Sequence, residues 1–178
     1  MPIFDVDSPS VFPVEEFIDV VEGNEAYVRA FTDQGLTGTA ASGLAVITCM
    51  DSRIDPLRIV GMAPGDVKIL RNAGARVTED VLRTLVLATY LLDVTRVLVV
   101  PHTRCKMVGT AEEDIHALIA EKFGVDTYSM EFRTVEDEVA ALRRDLQRIR
   151  SFPLLPRDLV VGGAVYDVDT GALRPIDA

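Results

Sequence analysis

The spacing of apolar residues changes character several times along the chain. Leu44 to Thr48 is an unbroken apolar, β-branched run, which predicts a short strand buried on both faces. Val67 to Leu70 and Val97 to Val100 repeat that signature, the first after a Pro64-Gly65 turn and the second stopped by Pro101. Between them the period lengthens. Val81, Leu85, Ala88 and Leu92 recur at three- and four-residue steps behind Thr78, Glu79 and Asp80, predicting a capped helix with one apolar stripe. Asp55-Pro56 reads as a cap and first helical residue of a short helix ending near Gly61. Thr110 with Glu113 forms a capping box for a helix through Phe123, closed by Gly124. Thr134 with Asp137 repeats the pattern for a helix to about Arg150. Leu159 to Tyr166 and Ala172 to Pro175 predict a terminal hairpin around Asp169-Thr170-Gly171.

Upstream, Val14 to Val21 and Glu25 to Gln34 read as two short helices with Asn24 capping the second, and 35–43, rich in Gly, Thr and Ala, as a linker. The alternation of strands and helices predicts the α/β class, with a parallel-centred sheet flanked by helices, N-terminal helices and a C-terminal β-hairpin. The expected organisation is one domain over 1–178, in which 1–43 form an N-terminal helical extension and linker and 44–178 the α/β core. Ligands of such sheets sit beyond the carboxyl ends of the strands.

Composition narrows the partners. A net charge of −10 with no Lys/Arg run argues against nucleic acid. No segment approaches the roughly 20 apolar residues of a membrane span, and the acidic start differs from a secretory leader, so a cytoplasmic location is expected. Cysteines stay reduced there, and a sparing pair reads first as metal-binding or catalytic.

The chain has two cysteines and two histidines, and Cys49, His102 and Cys105 follow directly on two predicted strands. Two thiolates and an imidazole suit Zn²⁺, and the H-x-x-C spacing lets His102 and Cys105 reach one ion from a single turn. Three protein ligands leave a position open, as in catalytic sites. Asp51 could close that position or accept a hydrogen bond from a metal-bound water, and Arg53 could hold the carboxylate bidentately. The plainer alternatives are two buried hydrophobic cysteines with a satisfied loop histidine, and a redox dithiol, although Cys49 and Cys105 form no C-x-x-C motif. His116 shares a face with Glu112 and Glu113, which predicts a solvated histidine. By pattern, Arg71-Asn72-Ala73-Gly74 is a polar loop with a left-handed glycine.

C-x-D-S-R at Cys49 to Arg53, R-N-A-G at Arg71 to Gly74 and H-x-x-C at His102 to Cys105, in that order, resemble the β-class carbonic anhydrases, in their compact prokaryotic branch. The resemblance implies zinc held by Cys49, His102 and Cys105, with Asp51 as switchable fourth ligand or water acceptor and Arg53 as its partner. It also implies reversible hydration of CO₂ to bicarbonate, and a homodimer or higher assembly. Two positions depart from the family pattern. Lys106 stands where a glycine usually follows the H-x-x-C cysteine, and no glutamine-containing stretch appears between Gln34 and Leu44, so the CO₂ pocket is unassigned. The rival readings are hydrolysis of a CO₂-like molecule such as carbon disulfide on the same fold, and a non-catalytic zinc-binding protein.

Overall fold

Strands apolar on both faces need cover on both sides, and the computed structural model, which describes residues 13–32 and 35–177, provides it. The chain divides into two compact units, Met1–Leu36 and Thr37–Ala178. In the first, a 3₁₀ turn over Glu15–Phe17 leads into helix α1, Ile18–Ala30. This corrects the expectation of two helices, since α1 runs straight through Gly23 and Asn24; Gln34 lies outside the described residues. A cap at Asn24 would be worth only about 1 kcal/mol, whereas continuing the helix adds a backbone hydrogen bond per residue.

The second unit is built on a sheet ordered β2-β1-β3-β4-β5, from strands β1 (Leu44–Cys49), β2 (Val67–Asn72), β3 (Arg96–Val100), β4 (Val160–Tyr166) and β5 (Leu173–Pro175). The first four neighbours run parallel and β5 returns antiparallel to β4, as the hairpin pattern predicts. Every residue of β1 is buried. Ala45 and Ile47 join one core layer with Leu85 and Leu146, while Leu44 and Val46 join another with Val100, so the period of two distributes one strand between two cores. Buried Thr48 donates its hydroxyl to the Val100 carbonyl at 2.8 Å, linking β1 to β3.

Helices α2 (Pro56–Ile59), α3 (Glu79–Leu91), α4 (Glu112–Phe123) and α5 (Glu138–Arg150) connect the strands. Asp55, Thr78 and Asp137 cap α2, α3 and α5, each side chain accepting an N–H of the first turn. Two caps differ from expectation. At α4 the Thr110 hydroxyl donates to the Lys106 carbonyl at 2.7 Å instead of capping, and Ala111 takes the N-cap position. At α5 the cap is Asp137 and not Thr134. His116 is a third correction: it is buried, bonded to the Thr127 hydroxyl at 2.8 Å and stacked on Tyr128. The reason is tertiary. The segment after α4 folds back over it, anchored where the Glu112 carboxylate accepts the N–H groups of Phe132 and Arg133.

Glu79, in the first turn of α3, receives the guanidinium groups of Arg133 and Arg148. Its own N–H at the helix start, then Arg148 and Arg133, hold its carboxyl down at about 2 against an ordinary 4.5. A carboxyl depressed by folding stabilises above its ordinary value and loses that contribution as pH falls toward its folded value. Glu79→Gln should therefore lower the thermal midpoint slightly near neutral pH, and scanning calorimetry should show the difference from the parent shrinking between about 4.5 and about 2.

Candidate metal centre

Strands β1 and β3 are neighbours in the sheet, so residues just past their carboxyl ends meet. Cys49 is the last residue of β1, and His102 and Cys105 lie on the turn after β3 and Pro101. All three are buried, His102 completely. Their ligand atoms lie within 4.8 Å of one another, and the two sulfurs are 4.0 Å apart. Two sulfurs on a tetrahedral zinc, each about 2.3 Å from it, would be separated by about 3.8 Å, so the donor set fits such an ion.

The imidazole is already oriented. His102 Nδ1 lies 2.9 Å from the Thr103 carbonyl, which only accepts, so the proton sits on Nδ1 and Nε2 is left with its lone pair. That Nε2 is buried without a hydrogen-bond partner, a costly state that a metal ion would relieve. The turn is held from outside by the hairpin: Thr103 N–H donates to the Tyr166 carbonyl, Tyr166 N–H to the Pro101 carbonyl, and Val168 N–H to the Thr103 hydroxyl.

The thiols act as a pair. The Cys49 sulfur accepts from the Cys105 thiol, which outweighs burial and, with help from His102 and the Gly74 N–H, holds Cys49 down at about 3. The same hydrogen bond, with burial, pushes Cys105 up. Burial pulls His102 down, but the neighbouring Cys49 sulfur and the Thr103 carbonyl outweigh it, and its net direction is upward.

Asp51 is turned toward Arg53, which contacts both carboxylate oxygens, Nε to Oδ1 at 2.9 Å and Nη2 to Oδ2 at 2.7 Å. The Arg53 N–H adds a third bond at 3.0 Å. These contacts, the guanidinium first, hold the Asp51 carboxyl well below the usual carboxylate range. Its Oδ2 is 3.7 Å from His102 Nε2, so the carboxylate borders the three-donor cluster.

Sequence reasoning left the R-N-A-G stretch as a loop, and the structure makes it the brace of the site. Arg71 donates Nε to the Cys49 carbonyl at 2.9 Å and Nη2 to the Asp51 carbonyl at 2.7 Å, fixing the segment that carries both side chains. Asn72 closes the following turn by accepting from and donating to the backbone of Arg76. Gly74, at φ +77, points its N–H at the Cys49 sulfur, 3.4 Å away. The resemblance alone singled these residues out; a bond to a backbone carbonyl leaves no trace in residue spacing. Lys106, the departure from the family pattern, leaves the turn intact. It is exposed and has no left-handed backbone, that conformation falling instead on Arg104.

Residues 44–173 match the carbonic anhydrase family. The chain is 31% identical to β-carbonic anhydrase 1 of Mycobacterium tuberculosis over 159 residues, covering 89% of this chain and 96% of that protein. The crystal structure of a carbonic anhydrase from Streptococcus mutans superposes with a TM-score of 0.87 at 33% identity, covering 94% of this chain and all of that one. A carbon disulfide hydrolase of Acidianus is 30% identical over 156 residues, 74% of this chain and 76% of its own length. The chain belongs to the β-class carbonic anhydrases, a zinc-dependent family, and it carries a Cys-His-Cys cluster suited to that metal.

A Cβ on Gly74 would sit 3.2 Å from the Met107 Cβ and would adopt a backbone that side chains resist. Gly74→Ala should cost about 1–3 kcal/mol of stability, and by shifting the N–H from Cys49 it should weaken metal binding about tenfold or more. Thermal melts and chelator competition measure the two effects separately.

Proposed function

We propose that the chain catalyses the reversible hydration of CO₂ to bicarbonate and a proton, with Cys49, His102 and Cys105 as zinc ligands and Asp51 and Arg53 governing the remaining position. The observation that carries this reading is the buried imidazole nitrogen, oriented and unpartnered, between two thiols at metal-ligand spacing. Zinc held there supplies a Lewis acid that makes hydroxide available from water near neutral pH. The protein's own groups do the rest. Cys49 and Cys105 must both be thiolates to bind, so binding releases thiol protons and affinity rises with pH. Arg53 keeps Asp51 ionised and turned aside, which leaves its carboxylate able to accept a hydrogen bond from the reacting water or to swing toward the cluster. Gating by Asp51 is then a movement away from Arg53 and not a protonation, because the carboxyl is already held below the usual range.

Stopped-flow CO₂ hydration should rise with pH in the zinc-loaded protein; no activity even at alkaline pH would refute the reading. Arg53→Ala should lower kcat about 10- to 100-fold with zinc retained, since it frees the carboxylate without touching the ligands. Cys105→Ser should lose stoichiometric zinc in metal analysis.

Similarity to the Acidianus carbon disulfide hydrolase supports a second reading, hydrolysis of carbon disulfide by the same ligand set. Parallel assays on CO₂ and carbon disulfide separate the two by the ratio of kcat/KM.

The proposal extends to a homodimer or higher assembly. No residue of α1 is buried, although Val20, Tyr27 and Val28 lie on it, and a second copy would cover these apolar side chains. Sedimentation equilibrium should give at least twice the 19.5 kDa chain mass. A cytoplasmic location agrees with two free thiols lying 4.0 Å apart, and no helix among the described residues is long and apolar enough to cross a membrane.

A further inference from the structure

One half-buried glutamate near the metal centre has no part in the chemistry above. Helix α5 presents Glu138, Ala141, Leu142 and Asp145 to the loops that carry the ligands, the spacing of one helical face. Between this face and Gly74, Cys105 and Met107 lies a small cavity in which the centre of a water molecule can occupy about 10 Å³. That is about the room one water needs.

The two acids on this wall are used differently. Asp145 is spent on Arg76, at 2.7 and 3.3 Å, in a largely buried pair. Glu138 has no such partner: its Oε1 is buried and makes no hydrogen bond. Capping does not explain the residue, because Asp137 caps α5 through the Ala140 N–H. A favourable place at the helix start does not explain it either, since that effect is available to a solvent-facing carboxylate. Burial pushes the carboxyl of Glu138 upward. A buried oxygen without a partner, on a residue that lines a water-sized space together with Cys105, calls for a bridging water.

We propose that Glu138 is a positioning residue for Cys105, acting through one water in this cavity that joins its Oε1 to the cysteine sulfur. The water orients the sulfur and withdraws charge from it, as supports behind metal ligands do. This rests on Cys105 being a metal ligand.

The test compares Glu138→Gln, which keeps a partner for the water, with Glu138→Leu, which removes it and fills the space. Zinc affinity is measured by chelator competition, and the thiolate-to-metal charge-transfer band is recorded in the cobalt-substituted proteins. Glu138→Leu should weaken zinc binding about 10- to 100-fold and shift the band, while Glu138→Gln restores most of the affinity. The metal-free Glu138→Leu protein should melt at or above the parent's midpoint, because an unpaired buried carboxyl has been replaced by an apolar group. A merely structural role would lower the metal-free midpoint and leave the band where it was. Unchanged zinc affinity and an unchanged band in Glu138→Leu overturn the proposal; if that variant does not fold, a Glu138→Gln band identical to the parent's overturns it. Cys105→Ser, run alongside, keeps two failures apart: zinc retained there overturns the ligand reading, whereas zinc lost there beside an unaffected Glu138→Leu overturns the role of Glu138 alone.

Discussion

Nitrogen Nε2 of His102 is completely enclosed, carries a free lone pair and has no protein partner, and it lies within 4.8 Å of two cysteine sulfurs. A buried acceptor left unpaired costs on the order of 1–3 kcal/mol, and a buried thiolate costs more. The fold keeps all three groups inside. A soft-to-borderline divalent cation would satisfy them together, and its binding energy would add to the stability of the loops around it.

That constraint explains how the surroundings are built. Two of the donors are fixed by a backbone group or by a side chain gripping backbone: Thr103 sets the ring of His102, Gly74 aims its N–H at Cys49, and Arg71 clamps the two carbonyls flanking Met50. The hairpin of β4 and β5 closes on the His102 turn from the far side. Because these supports come from different strands, the site exists only once the parallel sheet has assembled. The ligands themselves then need little freedom, which keeps the entropy lost on binding small.

Asp51 and Arg53 stand apart from this rigid set. Their pair is two residues apart in the chain, partly exposed and bidentate, strong enough to keep the carboxylate charged yet close enough to the donors for an exchange of partners. Carbonic anhydrases and carbon disulfide hydrolases are both similar to this chain.

The α/β class, the strands themselves and the three metal-ligand candidates were legible along the chain, because each depends on local information: unbroken β-branched runs, three-to-four periodicity, and scarce Cys and His at strand ends. Reading failed where a distant segment overrode a local preference. His116 looks solvated on its own helix and is buried by residues 127–132. At Asn24 the competing force was local, a good cap outweighed by continuation of α1. Lys106 departs from the family's glycine without a left-handed backbone, and that conformation is invisible in a string of residues. The sequence by itself determined which donors exist and which strands deliver them, since composition and periodicity act over a few residues. Only the tertiary structure decided that they converge to within 4.8 Å, that Arg71 and Gly74 brace them, and that Glu138 lies behind Cys105. Those outcomes depend on contacts between segments far apart in the chain, which no local pattern encodes.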